Sequence, residues 1–270
     1  MPNTTMSLAL FETINKQAKA FTNELAYHVV GDPLVVKNLS DYLEISFQNH
    51  LKVNITTTAN ILKEEMFETL SHDAIKQVNF SINSYNANSH KKSLEEYLEP
   101  IFHFCSYVLQ HQKELFVNLR IWNLDNIQSA KAFNKEVFDR ANTFFGCDVK
   151  MDEIYANRPK NIKIARKIFF NFDDYFNWPS LNNAFVSTQG FCYGLESHIA
   201  ILSSGEVVPC CLDKDGIIPL GNLKEHTLKE ILSSPKAVAI KNGFAHNNVV
   251  EELCQKCDYR TRFDTKENHE

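Results

Sequence analysis

Residues 24–58, ELAYHVVGDPLVVKNLSDYLEISFQNHLKVNITTT, spell out a complete strand–helix–strand unit. ELAYHVV (24–30) is rich in β-branched and aromatic residues and stops at Gly31-Asp32-Pro33. An Asp before a Pro marks a helix start. The carboxylate caps free N–H groups, and a Pro at the first helical position gives up an N–H that had no partner. LVVKNLSDYLEISFQNH then reads as a helix, and LKVNITTT (51–58) as the next strand.

The alternation extends in both directions. Upstream, Leu8, Phe11, Ile14, Ala18 and Phe21 recur at helical spacing. Downstream come the helix ILKEEMFETL, the strand IKQVNFSIN (75–83), the helix SLEEYLEPIFHFCSYVLQHQKE, the strand LFVNLRIWNL (115–124) and the helix NIQSAKAFNKEVFDRANTFFG. CDVKMDEIY (147–155) reads as the last strand. Strands and helices alternating at steps of roughly 25–35 residues predict an α/β fold with a parallel sheet or partial barrel. Such sheets bind ligands at the C-terminal ends of their strands. The residues there are Gly31, Asp32 and Pro33, then Thr57, Thr58 and Ala59, Ser81 and Asn83, and Arg120 and Asn123. His28, just before that first turn, reads as a satisfied core histidine.

The texture changes after residue 158. RPKNIKIARKIFFNFDDYFNWPSLNNAF is aromatic, carries Pro and Asn, and reads as a connector. Residues 1–160 are expected to form the α/β domain, 161–186 the connector, and 187–270 a small α+β domain. In the last, HIAILSSGEVVPC reads as a β-hairpin turning at Ser204-Gly205, and TLKEILSSPKAVAIKNGF as a helix broken near Pro235.

Bulk properties exclude several classes. With 28 Lys and Arg against 33 Asp and Glu, the net charge is -5, and no basic patch points to nucleic acid. The N-terminal residues MPNTTMSLALFETINKQAKAF have no continuous apolar core of a signal peptide, and no run is long and apolar enough to span a membrane. The expected location is the cytoplasm, where the seven cysteines would be free, metal-bound or catalytic rather than disulfide-linked.

Cys192, Cys210, Cys211, Cys254 and Cys257 all fall in the last 79 residues. CQKC (254–257) has the gap that lets two thiolates of one turn grip one metal centre. A thioredoxin-like role would place it early in a βαβ domain, not near the C-terminus. A zinc ribbon would need a second close pair, whereas Cys192 and Cys210 have 17 residues between them. An iron–sulfur cluster accepts four separate thiolates. Cys210 and Cys211 are adjacent, and on a strand they would face opposite ways, so one is expected to be a ligand and the other a small buried or supporting group. Cys105 and Cys147 read as core residues.

The spacing C-x12-G-x4-C from Cys192 through Gly205 to Cys210, then LGNL (220–223), TLKEILSSP and CxxC followed by YRTRF, resembles the C-terminal extension of radical S-adenosylmethionine enzymes of the SPASM/twitch group. The resemblance implies one auxiliary 4Fe-4S cluster held by Cys192, Cys210, Cys254 and Cys257. The full SPASM version continues with further cysteines, and none follow Cys257. The front of the chain is similar to that superfamily's partial (β/α)6 barrel. VVGDPL looks like its GEP loop, which meets the amino group of S-adenosylmethionine, with Asp32 in place of Glu. TTANIL (57–62) stands where TNGxLL is usual. The resemblance assigns Gly31, Asp32, Pro33, Thr57, Ser81 and Arg120 to S-adenosylmethionine, with Arg120 as a donor fork for its carboxylate.

One departure is large. The CxxxCxxC loop that binds the radical-generating cluster is absent. MPNTTMSL begins where the family leaves that loop, so the first barrel strand and the loop read as missing rather than mutated. The expectation is an enzyme lineage whose chain as written is inactive and poorly soluble alone, with an open edge at ELAYHVV. Intact, it would cleave S-adenosylmethionine and abstract hydrogen from a peptide or small-molecule substrate, fed by an electron donor. Asp213, Asp215, Tyr193 and His198 are candidate substrate contacts. The alternatives are a non-catalytic iron–sulfur protein for electron transfer or docking, and a structural zinc module built on the same four cysteines.

Overall fold

The computed structural model describes residues 4–29, 31–85, 92–125 and 128–264. Val30, the end of the first expected strand, and the first two residues of the NIQSAK helix lie outside them. The chain forms two compact units, residues 22–175 and residues 1–21 with 176–270.

The first unit is built on a six-stranded sheet: β1 (Glu24–Tyr27), β2 (Lys52–Thr57), β3 (Ile75–Ser81), β4 (Phe116–Ile121), β5 (Asn161–Ala165) and β6 (Ile168–Phe172). Their order is β1-β2-β3-β4-β6-β5, parallel throughout except for β5 against β6. The connecting helices are α2 (Leu39–Gln48), α3 (Phe67–Leu70), α4 (Leu94–Gln110) and α5 (Gln128–Phe145). Parallel strands that pair in sequence order need crossover connections of one hand, and these put the helices on one face.

Alternation does the rest. Val53, Ile55, Val78, Phe80, Val117, Leu119, Ile121, Ile168, Phe170 and Phe172 bury into one core with Leu43, Leu70, Ile101, Cys105, Val137 and Phe138 of the helices. Each such side chain contributes roughly 1.5–3 kcal/mol on burial. The opposite face carries Asn54, Thr56, Gln77, Asn79, Ser81, Asn118, Arg120 and Asn171. β1 sits at an edge, and none of its four residues is buried.

Two sequence expectations change here. CDVKMDEIY is not a strand: Met151–Asn157 is a helix, α6. Asp152 and Glu153 in its first turn favour the positive helix end, and Ile154 is its buried residue. The sheet is extended by β5 and β6, from the segment expected to be a connector. The alternating burial of IFFNF is a strand pattern, and a turn at Lys167, with φ of 57°, closes the hairpin. The GDP expectation holds in shortened form. Asp32 caps a 3-10 turn at Pro33–Val35, and α2 begins only at Leu39.

The second unit contains α1 (Leu8–Ala18), the antiparallel strands β7 (Ala200–Ile201), β8 (Glu206–Val208) and β9 (Gly221–Asn222), and helices α7 (Leu228–Leu232), α8 (Pro235–Ala245), α9 (Glu252–Gln255) and α10 (Thr261–Asp264). The expected hairpin is β7–β8, and the helix break before Pro235 is the start of α8, with Ser234 as its cap. Sequence order alone groups α1 with the large sheet. It packs here instead: Ile14 joins Val207, Leu220, Ile231, Ile240 and Phe244, and Gln17 Oε1 accepts from Leu228 N at 2.6 Å. Helical spacing marks an apolar face without saying which core it enters. No helix of the described residues is long and apolar enough to cross a membrane.

Candidate functional site

The strand ends of the first unit gather most of the residues singled out from sequence. Asp32 is the hub of the first two. Its Oδ1 accepts from Leu34 N at 3.0 Å, and its Oδ2 accepts from Thr57 Oγ1, Thr58 N and Thr58 Oγ1, each at 2.8 Å. Thr57 is 2% exposed, and its hydroxyl also accepts from Ala59 N at 2.9 Å. The carboxylate and the Thr57 hydroxyl therefore tie two loops together. Gly31 has φ of 82°, and nothing within 4 Å would meet a side chain there. Ala59 has φ of 60°, a conformation easy only for glycine. The turn expected from a glycine-bearing motif thus survives with Ala in its place.

Ser81 and Arg120 are register partners on neighbouring strands, and Arg120 is in turn the partner of Asn171 on β6. The three form a polar row at the C-terminal ends. The Arg120 guanidinium lies 4.6 Å from the centroid of Trp122, whose Nε1 donates to Asn171 Oδ1 at 2.7 Å. Asn171 carries no signal in the sequence, because its segment reads there as a connector rather than a strand. Among the described residues, the buried acceptors Asn60 Oδ1, Asn123 Oδ1 and Asp125 Oδ1, following β2 and β4, have no hydrogen-bond partner. Asn79, 1% exposed, fills the floor, accepting from Gln77 Nε2 at 2.8 Å and Asn118 Nδ2 at 3.1 Å.

In the second unit the cysteines arrive from separate segments. A side chain placed on Gly194 would lie 3.7 Å from Cys192 Sγ and 3.8 Å from Cys210 Cβ, so Gly194 sits between these two. Leu195 N donates to Pro209 O at 3.2 Å, docking the Cys192 loop on the hairpin arm. Gly194 N donates to Cys192 Sγ at 3.4 Å. Cys254 is in α9, and Cys257 N donates to Cys254 O at 3.3 Å in the knuckle turn.

The thiols feel one another. Burial first, then charge on Cys210, Cys192 and Cys257, drives the Cys254 thiol far up. Burial pushes Cys210 up to about 12, with Cys211 and Cys192 adding to it. Burial pushes Cys257 up to about 11, with Cys192 and Asp258 adding. Among the described residues, no three His, Cys, Asp or Glu side chains stand close enough to hold a single metal ion. Cys210 and Cys211 lie just past β8 rather than on it, so the opposite-face argument does not apply. Cys105 is fully buried, as expected, while Cys147 is half-buried, its Sγ donating to Asn142 Oδ1 at 3.3 Å.

The expected substrate contacts have internal duties. Asp213, 2% exposed, accepts from Ile217 N and Ile218 N at 2.8 Å each. Asp215 pairs with Lys214 at 2.7 Å. His198 has its pKa lowered by burial and lies 3.1 Å from Ser197 Oγ. Tyr193 meets Phe191 and Phe263 edge to face.

The family of the SPASM iron-sulfur cluster-binding domain matches residues 192–258. No curated protein matches the chain. Among solved structures, BtrN in complex with AdoMet and 2-DOIA is similar at 15% identity and a TM-score of 0.57, over 94% of this chain and 80% of that one. Native anSMEcpe with bound AdoMet and Cp18Cys peptide is similar at 13% identity and 0.53, over 96% and 80%. Streptococcus suis SuiB bound to S-adenosylmethionine is similar at 16% identity and 0.56, over 94% of this chain and 65% of that one. At these identities the likeness is one of fold.

Proposed function

We propose that this chain, a radical SAM/SPASM superfamily protein, holds an auxiliary 4Fe-4S cluster on Cys192, Cys210, Cys254 and Cys257 and serves a radical S-adenosylmethionine enzyme. The observation that carries the reading is that the SPASM family match spans all four cysteines, with Gly194 set between Cys192 and Cys210 and with Cys254 and Cys257 in one knuckle turn. Four thiolates from separate segments suit a cubane, in which each binds a different iron. A single zinc would need all four around one ion. When bound, such a cluster supplies one-electron capacity and, at an open iron, a place for substrate.

The chain's own residues would do the rest. Ser81, Arg120 and Asn171 offer a hydroxyl, a guanidinium fork and an amide in one row, suited to a carboxylate and a ribose. Asn60, Asn123 and Asp125 offer acceptors for an ammonium or hydroxyl. The Asp32 carboxylate already takes four hydrogen bonds, so backbone carbonyls of the Gly31–Pro33 loop, rather than that side chain, would receive the ammonium. Thr57 shapes this loop from behind.

The 270 residues contain no CxxxCxxC, so the chain itself offers no such thiolate set for the cluster that cleaves S-adenosylmethionine. A non-catalytic iron–sulfur role on the same four cysteines is the second reading. The substrate, peptide or small molecule, and the electron donor follow from the enzyme reading. Anaerobic reconstitution with iron and sulfide tests the core of the proposal. About four irons and four sulfides per chain, lost on Cys254→Ala, support it. One zinc and no visible absorbance would overturn it in favour of a structural metal site.

A further inference from the structure

Three segments of the second unit meet through their rings. Phe191 and Tyr193 flank Cys192, Tyr259 and Phe263 follow Cys257, and Phe176 and Trp178 come earlier in the chain. Centroid to centroid, Phe191 lies 4.8 Å from Tyr193, Tyr193 lies 5.0 Å from Phe263, and Phe263 lies 5.7 Å from Tyr259. These three pairs cross at 87°, 82° and 82°. Phe176 extends the file at 4.9 Å from Tyr259, and Trp178 at 5.9 Å from Phe176. In an edge-to-face pair the positive rim of one ring meets the negative face of the other, which fixes an angle as well as a distance. The Arg262 guanidinium, 4.7 Å from the centroid of Tyr259 and 5.6 Å from that of Phe176, adds a cation to two of the rings.

The local backbone sets this up. Arg262 N donates to Tyr259 O at 3.3 Å and Phe263 N to Arg260 O at 3.0 Å, a helical turn that puts Tyr259 and Phe263 on one side. The segment bearing Cys192 is tied by Val249 N donating to Thr188 O at 2.8 Å, Gly190 N to Asn247 O at 3.0 Å and Leu195 N to Pro209 O at 3.2 Å. Those bonds reach residues 247–249 and the hairpin. The Tyr193–Phe263 pair adds a tie to the tail beyond Cys257. Phe191, Tyr193, Tyr259 and Phe263 are each half-buried, so they form a wall rather than a core. An aliphatic side chain in such a wall covers apolar surface but fixes no angle.

We propose that Tyr193 and Phe263 are positioning residues for the metal site, a ring clasp that holds the segment of Cys192 against the segment of Cys257. The inference rests on the cluster reading above. A cubane bound from separate segments needs its ligands held by what surrounds them, and outer contacts of this kind set how firmly a metal site is kept.

The test uses the full chain, reconstituted anaerobically, and follows iron loss to the chelator bathophenanthroline. The variants are Phe263→Leu, Tyr193→Leu, the two combined, and Phe263→Tyr, which keeps the ring. A wild type that binds no cluster overturns the cluster reading, and the clasp with it. With cluster present, each single Leu variant should lose iron at least about tenfold faster than wild type, the usual scale for an outer contact of a metal ligand. The double variant should be no faster than the faster single one, because both remove the same contact. Phe263→Tyr should stay nearer the wild-type rate than the Leu rate. Should Phe263→Leu fail to fold or load, loading of Phe263→Tyr supports the clasp, and failure of both overturns it. A smaller acceleration in either single variant, a double variant faster than both, or a Phe263→Tyr as fast as Phe263→Leu also overturns it.

Discussion

The two units of this protein solve the problem of stability in different ways. Residues 22–175 bury a continuous apolar core on one face of a sheet, and their strand and helix periods announce it. The cysteine-bearing unit has short strands of two or three residues and a smaller apolar cluster. It is stitched by side chains reaching backbone, such as Arg260 to Ser187 and Gln189, Asp213 to Ile217 and Ile218, and Gln255 to Val249. The first unit is finished by its own side chains. The second gathers thiols whose ionisation burial suppresses.

That contrast can be broken by experiment. The largest effect belongs to Cys254→Ala, which should reduce bound iron from about four per chain to near none. Amide exchange across residues 187–260 should quicken while the amides of β2, β3 and β4 stay as protected as before. Equal loosening of both units would erase the distinction. Phe80→Ala acts on the other side. At 0% exposure it should cost about 3–5 kcal/mol in a denaturant titration, with cluster loading unchanged.

The thiols give a signed pH dependence. In the metal-free protein Cys210 and Cys257 stay neutral to about 12 and 11, while in the unfolded chain they ionise near 9.0. Thermal stability of the metal-free unit should hold below pH 9 and fall as pH rises toward 11–12. Cluster uptake should respond in the opposite sense, because it consumes thiolates. Asp32→Ala should cost about 1–2 kcal/mol, read as a lowered melting temperature of the first unit, through the lost cap and its two threonine partners. The smallest effect is that of Glu24→Gln. Lys76 and Asn54 lower the pKa of this largely exposed carboxyl, so its contribution is present above pH 4.5 and lost as pH falls through the folded value. It should stay under about 1 kcal/mol and fade with added salt.

Much of the first unit was legible from period and punctuation. The strands ending at Thr57, Ser81 and Ile121, and the helix that opens after Ser93, follow from local chemistry alone. The failures share a cause. α6 and the β5–β6 hairpin are short segments whose local preferences are weak, and the neighbour on offer decided them: β4 presented an unpaired edge, and Ile168, Phe170 and Phe172 fill the core behind it. Arg120, chosen from sequence, ends β4 beside Ser81, yet Asn171 and Trp122 near it depend on that late strand.

The order of residues by itself determined the alternation of strand and helix, the Asp32-Pro33 helix start, and the two-residue gap that puts Cys254 and Cys257 in one turn. Each depends on contacts within a few residues, or on the fixed gap of a CxxC turn. Tertiary structure alone decided that α1 joins the cysteine-bearing unit, that β6 lines Asn171 up with Arg120 and Ser81, and that Arg260 is buried among carbonyls. Those facts follow from competition between distant partners for the same surface, and that competition is settled only once the whole chain is packed.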